Sequence, residues 1–303
     1  MRAGAAPVSL TAGRRTAALL ADYVALTKPR LNVLVVATSA AGYYLGSPAP
    51  PATGPLALAV SGIALVAAGS AALNQVLERD TDAMMRRTRL RPLPDGRIAA
   101  EDARLFGIGV SALGILLLAT TANVLSAVLA LATLLVYVVI YTPMKRRSEL
   151  ATLVGAIPGA LPSLIGWAAG HGSLSSGGWA LFAIVFLWQI PHFMAISWLY
   201  RDDYAKAGFP MLPVIDPAGR SAGRQALLYA GALLPVSLVP PALSMTGAIY
   251  FWLALALSLA MVGLSWQFAT LRTDRAARLL FTFSIIYLPV IWIVMIANHI
   301  RPS

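Results

Sequence analysis

The sequence predicts an all-α integral membrane protein with nine transmembrane helices in a bundle and a cytoplasmic N-terminus. Hydrophobic residues make up 58% of its 303 residues, whereas charged residues make up only 12%. Nine apolar runs approach the length of about 17–25 residues that a transmembrane helix needs. The basic residues fall in alternate loops, which is how cytoplasmic loops are usually marked. These three observations favour a multi-pass membrane protein over a soluble domain.

Each apolar run is predicted to form one helix, with ends placed to within a few residues. In chain order the runs are Leu31–Leu45, Pro55–Leu77, Arg104–Thr121, Val124–Tyr141, Leu150–Ala169, Trp179–Tyr200, Gln225–Thr246, Ala248–Ala269 and Leu279–Ile300. The first run is short, and a start near Leu26 would lengthen it. Residues 1–25 are expected to form a cytoplasmic tail, although their Arg, Ser and Thr content faintly resembles a transit peptide. Residues 26–303 are expected to form one transmembrane domain.

The distribution of charge predicts which loops face the cytoplasm. Of the 23 lysines and arginines, all but Arg301 fall in the predicted inner segments, and all 12 acidic residues lie on the same side. The outer loops, such as Ser47–Gly54 and His171–Gly178, contain no Lys, Arg, Asp or Glu. The net charge of +11 is therefore a signal of topology and requires no nucleic acid. A basic face also suits the anionic headgroups of a lipid bilayer, which is the expected partner.

Cysteine is absent from the sequence. Disulfides, thiolate chemistry and cysteine-ligated metals are therefore excluded. The bias toward Ala, Gly, Leu and Arg is typical of a GC-rich bacterial genome, so we expect the charged face to lie on the cytoplasmic side of a bacterial inner membrane.

The inner end of the second predicted helix carries a dense cluster of charge. Asn74, Glu78 and Asp82 recur every four residues, and Asp80 adds a further carboxylate. On a helix, four residues turn the chain by about 400°, so the three recurring side chains lie on one stripe about 6 Å apart. Charged side chains near a bilayer cost free energy, so their presence there usually indicates a function. This spacing suits Mg²⁺, which takes one or two carboxylates and fills its shell with water and phosphate oxygens.

Basic residues follow this first acidic motif directly, namely Arg86, Arg87, Arg89 and Arg91. Beside a metal ion they would bind an anion, and a diphosphate is the ligand that this combination favours. The alternative is a cytoplasmic loop that is charged only because it faces water.

A second charged motif, from Trp188 to Val214, lies at the inner end of the sixth predicted helix. Both motifs follow even-numbered helices, so we expect them to face each other across the bundle and to form a single site. His192 and Asp203 are eleven residues apart, which places them within about 20° of each other if the helix continues that far. Asp202 would point about 80° away from His192.

His192 has two interpretations. A single histidine in an apolar helix is often a hydrogen-bonded structural residue. Here it follows Pro191, which frees backbone groups and tends to kink a helix. In a membrane such irregularity is tolerated where it lines a cavity. His192 is therefore equally a candidate for contact with a ligand.

Two further segments are candidates for the same site. Tyr141 and Lys145 lie at the inner end of the fourth helix, where Pro143 is predicted to end the regular helix. Their alternative role is a basic and aromatic anchor at the membrane interface. Small residues and prolines in the fifth helix are expected to allow close packing and to shape a cavity: Gly155, Pro158, Gly159, Pro162 and Gly166. The basic entry to the first helix at Thr27–Arg30 is best explained by topology alone.

Together these features describe a site for a lipid diphosphate. Metal ions would improve the leaving group, basic residues would bind its oxygens, and the hydrocarbon tail would lie between helices. Departure of the diphosphate leaves an allylic cation that must meet an electron-rich acceptor before water, which a sheltered cavity favours. The sequence contains no Ser/His/Asp constellation, phosphate-binding glycine loop or zinc signature that would compete.

The motifs resemble those of the intramembrane polyprenyltransferase superfamily and, within it, of the protoheme IX farnesyltransferase (heme O synthase) family. The resemblance covers most of the chain. It lies in LTKPR at Leu26–Arg30, N-x-x-x-E-x-x-x-D at Asn74–Asp82, D-x-x-M-x-R-T-x-x-R-P-L at Asp82–Leu93, YTPMKR at Tyr141–Arg146, W-Q-x-P-H-F at Trp188–Phe193 and D-Y-x-x-A-G-x-P-M-L-P at Asp203–Pro213. Quinone-type members usually carry a first motif closer to N-D-x-x-D-x-x-x-D. Gln75 and Glu78 depart from that pattern and favour the heme branch.

The resemblance implies nine helices around a central cavity open toward the membrane. It also implies transfer of the farnesyl group of farnesyl diphosphate to a vinyl group of heme B, with Mg²⁺ as cofactor, heme O as product and diphosphate released. A heme A synthase or a terminal-oxidase assembly would be a further partner.

The resemblance also assigns roles to residues. The first metal–diphosphate motif is matched by Asn74, Glu78 and Asp82, and the second acidic position by Asp203, with Asp202 as a helper. Tyr141 would flank the reacting carbon, and His192 would contact heme by iron ligation or hydrogen bonding. The candidates for holding diphosphate or a heme propionate are Arg86, Arg87, Arg91, Lys145 and Lys206.

Three alternatives remain from the sequence. One is a prenyltransferase of the same superfamily acting on an aromatic or quinone-precursor acceptor. A transporter is disfavoured because the charge lies at one membrane face, whereas transport sites usually lie near the midplane. A purely structural membrane protein would have no need for clustered carboxylates.

Overall fold

The computed structural model describes residues 12–300, which are helical along most of their length. The helices of the first half are α1 (Ala12–Leu26), α2 (Pro29–Gly46), α3 (Thr53–Leu77), α4 (Arg79–Met84), α5 (Ala100–Thr121), α6 (Val124–Leu135), a π-helical segment (Val136–Tyr141), α7 (Thr142–Met144) and α8 (Ala151–His171). Those of the second half are α9 (Ser176–Leu199), α10 (Arg201–Lys206), α11 (Leu212–Ile215), α12 (Arg220–Ser237), α13 (Val239–Ala242), α14 (Ala248–Leu271) and α15 (Asp274–Ala297). Of the predicted N-terminal tail, residues 1–11 lie outside the described residues.

The predicted fold class, an all-α membrane protein, is confirmed. Within residues 12–300, eight helical stretches are long and apolar enough to cross a membrane: Thr53–Leu77, Ala100–Thr121, Val124–Met144, Ala151–His171, Ser176–Leu199, Arg220–Ala242, Ala248–Leu271 and Asp274–Ala297. The first predicted span corresponds to α2, which is not among the eight. Arg30 and Asn32 in its first turn lower its hydropathy. The count of nine and the side of the N-terminus therefore stay predictions.

Very close contacts between small residues hold α2 against α8. A Cβ atom added at Gly166 would lie 2.0 Å from the carbonyl oxygen of Ser39, and one added at Gly42 would lie 2.1 Å from that of Ser163. Such distances leave no room for a methyl group, so these backbones approach as closely as small residues permit. The same kind of contact joins α3 to α5, where Gly69 faces Ser111. Close packing through the glycines of the fifth predicted helix is thus confirmed at Gly166.

The apolar core has two main parts. The larger cluster joins α8 and α9 to α12, α14 and α15, and the smaller joins α3, α5, α6 and α8. Many large apolar side chains remain exposed on the outer surface, including Leu113, Val139, Trp252 and Ile293. A surface of this kind is expected where lipid replaces water around the bundle.

Three helices are interrupted at their charged ends. The backbone of Glu78 has φ −98° and ψ 7°, so α3 ends at Leu77 and α4 follows. At Tyr200 the values are −112° and 20°, so α9 ends before the short α10 begins. The helix assumed to run unbroken from His192 to Asp203 is therefore interrupted at Tyr200, although the backbone N–H groups of Tyr200 and Tyr204 still donate to the carbonyls of Ile196 and Tyr200. After α6 the chain widens into the π-helical segment just before Pro143, which has no backbone N–H to continue a regular helix.

Candidate active site

A cavity of about 440 Å³ lies between α2, α3, α6, α8 and α9. Side chains from the middle of these helices make its apolar walls, among them Ile63, Val66, Ile165 and Val185. Charged groups from the helix ends line it as well, and these are Lys28, Glu78, Asp82, Arg87, Arg91 and Lys145. The cavity is therefore amphiphilic, with four basic side chains and two carboxylates beside an apolar volume.

The first acidic motif is buried and faces this cavity. Asn74, Glu78 and Asp82 are 0%, 6% and 1% exposed. The backbone N–H of Glu78 donates to the Asn74 carbonyl at 2.9 Å, and that of Asp82 donates to the Glu78 carbonyl at 2.7 Å. Hydrogen bonds between residues four apart thus continue across the break at Glu78, and the three side chains stay on one stripe.

Each side chain of the motif accepts a hydrogen bond from a different basic residue. The Nζ of Lys28 lies 2.7 Å from Asn74 Oδ1, and the Nζ of Lys145 lies 2.8 Å from Glu78 Oε1. The guanidinium Nη1 of Arg91 lies 2.7 Å from Asp82 Oδ2. Three elements distant in sequence therefore bring their cations to one acidic stripe, a geometry suited to holding an anion between them.

The electrostatic environment shifts the pKa values of these groups. Burial lowers the pKa of Lys28 to about 7, and the nearby Arg91 guanidinium adds to this effect. Burial opposes ionisation of Glu78, but the Lys145 ammonium beside it holds the pKa of that carboxyl below its usual value. Burial also disfavours the charged form of Lys145, yet the neighbouring Tyr141 and Glu78 keep its pKa well above the ordinary value. Glu78 and Lys145 therefore form an ion pair at neutral pH.

Two tyrosines of the π-helical segment line the cavity beside this pair. The ring centroids of Tyr137 and Tyr141 are 5.3 Å apart, and the Lys145 ammonium lies 4.9 Å from the centre of the Tyr141 ring. Gly155 of α8 leaves the space for Tyr141, since a Cβ atom there would lie 2.4 Å from the ring. π-helical turns often occur at functional sites. Tyr141 and Lys145 therefore both line the cavity.

The motif on α9 also lines the cavity. Trp188, Gln189, His192 and Phe193 all contribute to its wall. Gly159 leaves room for Gln189, whose Oε1 would be 2.1 Å from a Cβ atom at that position. The helix runs without a break through Pro191. The glycines and prolines of α8 that were expected to shape a cavity do line it, at Gly155, Pro158, Gly159 and Pro162.

The chain after α9 meets the first motif through apolar residues. Phe209 packs with Met85, and Tyr204 and Met211 pack against them. Tyr204, Phe209 and Met211 line the cavity, so the two motifs do come together. The two aspartates and the lysine of the second motif do not belong to the cavity wall. Asp203 is half-buried, and Asp202 and Lys206 are exposed.

The predicted site residues therefore separate into two groups. Eight line the cavity: Asn74, Glu78, Asp82, Arg87, Arg91, Tyr141, Lys145 and His192. Four do not: Arg86, Asp202, Asp203 and Lys206. In residues 12–300 no three His, Asp or Glu side chains are grouped closely enough to suggest a metal site by themselves.

Lys28 is the main cavity residue that the sequence did not assign to the site. It has a left-handed backbone conformation, with φ 49°, at the start of α2. That turn brings it beside Asn74 of another helix. The T-K-P-R segment is part of the family resemblance, but from the sequence alone topology was the better explanation of its charge. Tyr137 was missed because it lies within a uniformly apolar run.

The fold and the cavity define a multi-pass helical membrane protein that can hold an amphiphilic anion. Comparison with known families gives a match between residues 35–293 and the model of the UbiA prenyltransferase family. The match spans most of the sequence, and the chain belongs to the UbiA prenyltransferase family.

Relatives with much higher sequence identity agree with this assignment. The chain is 45% identical over 289 residues to the protoheme IX farnesyltransferase of Solibacter usitatus, covering 92% of this chain and 98% of the relative. It is 42% identical over 293 residues to the protein of the same name from Koribacter versatilis, covering 93% and 94%. The resemblance drawn from the motifs is thus confirmed.

Solved structures with low sequence identity share the fold. A digeranylgeranylglyceryl phosphate synthase superimposes with a TM-score of 0.79 at 18% identity, covering 92% of this chain and 98% of that chain. A UbiA homolog from Archaeoglobus fulgidus bound to GPP and Mg²⁺ gives a TM-score of 0.63 at 17% identity, covering 91% and 99%.

Proposed function

We propose that the protein transfers the farnesyl group of farnesyl diphosphate to a vinyl group of heme B, giving heme O and diphosphate. The observation that carries this proposal is the cavity, which joins a cluster of four basic side chains to an apolar volume between helices. Such a space suits a ligand with a charged head and a hydrocarbon tail. The choice of heme B as acceptor is supported by relatives of 42–45% identity named protoheme IX farnesyltransferase.

The basic residues of the cavity would bind the diphosphate. The first acidic motif accepts one hydrogen bond each from Lys28, Arg91 and Lys145. Arg87 lines the same cavity. Arginine is suited to bidentate contacts with phosphate oxygens, and lysine acts as a compact point charge. A diphosphate would thus replace protein oxygens with its own around these cations.

The residues present fit Mg²⁺ as the cofactor. Amide and carboxylate oxygens are the hard ligands that this ion prefers, and Asn74, Glu78 and Asp82 present them to one cavity. When bound there, Mg²⁺ would neutralise the diphosphate and improve it as a leaving group. The predicted metal role of Asp203 rests on its motif and not on contact with the cavity. A UbiA homolog solved with GPP and Mg²⁺ supports the choice of ion.

The net reaction requires water as well as the two substrates. The C–O bond to diphosphate breaks, and farnesyl C1 forms a C–C bond to one carbon of the heme vinyl group. The other vinyl carbon takes a hydroxyl group from water, and the proton of that water is released. The apolar walls would shelter the allylic cation until the acceptor is reached, and the ring of Tyr141 lies beside the diphosphate-binding cations.

We place the reaction at the cytoplasmic face of a bacterial inner membrane, because the predicted inner loops carry nearly all of the charge. Heme O would pass from there to a heme A synthase or a terminal-oxidase assembly. An acceptor assay tests the proposal. Purified protein in liposomes receives farnesyl diphosphate, Mg²⁺ and equal amounts of heme B and a hydroxybenzoic acid. Heme O should be the product, and prenylation of the aromatic acid alone would overturn the choice of acceptor.

A further inference from the structure

One residue of α15 anchors both Trp188 and His192. The indole Nε1–H of Trp188 donates to the backbone carbonyl of Ser284 at 2.8 Å. The Nδ1 of His192 lies 2.7 Å from the hydroxyl of the same serine. Two side chains of the W-Q-x-P-H-F segment on α9 are therefore fixed by a single position on a neighbouring helix.

The hydrogen bonds around Ser284 determine which nitrogen of His192 carries the proton. The Ser284 hydroxyl donates its only proton to the Phe281 carbonyl at 2.7 Å. Its oxygen must then accept a hydrogen bond from Nδ1–H of His192. In the neutral imidazole, Nε2 is consequently left with a free lone pair.

The ring of His192 is also held from its sides. Its centroid lies 5.1 Å from that of Trp188, in a stacked arrangement, and 5.1 Å from that of Phe281. His192 lines the cavity, and within residues 12–300 Ser284 is the hydrogen-bond partner that it has. A cavity-lining imidazole that donates its Nδ1–H to a fixed partner has the hydrogen-bonding arrangement of many metal-ligating histidines.

His171 provides a comparison within the same chain. It follows Trp167 by four residues, as His192 follows Trp188, and its ring centroid lies 5.3 Å from that of Trp167. Its Nδ1 lies 3.1 Å from the carbonyl oxygen of Gly46. His171 is exposed at the end of α8 and is not part of the cavity wall. The same local motif therefore occurs without access to the cavity.

We propose that Nε2 of His192 ligates the iron of the heme acceptor, and that Ser284 is the positioning residue that fixes the required tautomer. This inference rests on the proposed function and specifies how its acceptor is held. The iron is part of the substrate, so ligation would orient the porphyrin in the cavity.

Binding of ferric heme B to the full-length protein in detergent tests this inference without turnover. The absorption spectrum of the native protein should carry the signature of imidazole-ligated heme. His192→Ala should lose that signature and bind heme about tenfold more weakly, while free imidazole should restore the signature. Ser284→Ala should weaken it, and Ser284→Thr, which keeps the hydroxyl, should retain it. His171→Ala and Ser258→Ala are the matched controls and should behave like the native protein.

Metal-free protoporphyrin IX separates ligation from other contacts. Its affinity should be the same for native protein and His192→Ala, because no iron is present. If His192→Ala lost affinity equally for heme B and for metal-free protoporphyrin IX, His192 would contact the porphyrin edge rather than the iron. That result would overturn the inference. An unchanged heme spectrum in His192→Ala, with heme O still formed, would also overturn it and leave the proposed function standing. Native protein that neither binds heme nor forms heme O would overturn both.

Discussion

At the scale of single residues, the site is a set of hydrogen-bonded pairs, each joining a basic side chain to a polar or acidic side chain of the first motif. Asn74, Glu78 and Asp82 could be predicted from their spacing, because a repeat of four residues places side chains on one helical face. Their partners could not be predicted in the same way. Lys28 reaches Asn74 only because the chain turns at its left-handed backbone conformation, and such a turn at a lysine has no sequence signature.

Lys28 is expected to bind the diphosphate, although its sequence context suggests only a topology signal. Lys28→Met removes the amine whose Nζ donates to Asn74 Oδ1 in the cavity and which would be charged beside a bound diphosphate. Loss of a charge-assisted hydrogen bond of this kind should raise the KM for farnesyl diphosphate about tenfold. Steady-state kinetics at saturating heme B would measure it.

Arg30→Met is the matched control, because Arg30 is exposed two residues further along. It should leave the KM unchanged. Equal kinetic constants for Lys28→Met and the native protein would remove Lys28 from the diphosphate site.

At the scale of elements, the apolar runs predicted the long helices because a membrane requires about 20 apolar residues to span it. The irregular ends were harder to predict. Pro143 marked the end of a regular helix but did not indicate the π-helical segment before it. The break at Tyr200 has no proline or glycine to mark it in the sequence. The face predicted to be shared by His192 and Asp203 does not bring both into the cavity wall, because of the two only His192 lines it. The close approach of α2 to α8 was expected from small residues, but its partners were not.

The contact between α2 and α8 should be intolerant of a single added methyl group. In Gly166→Ala the new Cβ atom would lie 2.0 Å from a backbone oxygen of Ser39, so the helices must separate. Overpacking of this kind typically costs about 1–3 kcal/mol, and the unfolding temperature in detergent should fall.

Gly109→Ala on α5 is a matched substitution with no neighbouring atom within 4 Å. Its unfolding temperature should equal or exceed that of the native protein, because alanine stabilises a helix more than glycine does. If both variants unfolded at the same temperature, the close packing of α2 on α8 would not contribute to stability as described.

At the scale of the whole molecule, the bundle formed by residues 12–300 encloses an amphiphilic cavity and exposes an apolar surface that suits lipid. Hydropathy and charge distribution predicted the fold class, and the motifs predicted the family. The sequence did not establish which motif residues reach the cavity. Arg87 and Arg91 line its wall, but Arg86 lies outside it, and this depends on how the loop after α4 is folded.

The charge distribution predicts the orientation in the membrane, and the absence of cysteine makes a direct test simple. Single cysteines at Glu149 and Ser173 would lie in loops at opposite ends of α8, and both positions are exposed. In intact cells a membrane-impermeant thiol reagent should label Ser173→Cys and not Glu149→Cys. Permeabilised cells should give labelling of both. Labelling of Glu149→Cys and not of Ser173→Cys in intact cells would contradict the predicted orientation and indicate the opposite one.

The most direct test of the central claim compares two neighbouring aspartates in one turnover assay. Asp82 is buried and bonded to Arg91, whereas Asp80 is exposed and pairs with Arg79. Purified protein with heme B, farnesyl diphosphate and Mg²⁺ should form heme O, and EDTA should abolish it. Asp82→Asn should lose activity by at least about 100-fold, since the residue would hold both the metal and Arg91, and Asp80→Asn should stay close to native. Metal-independent turnover, or equal activity of the two variants, would contradict the assignment of the cavity as the site of farnesyl transfer.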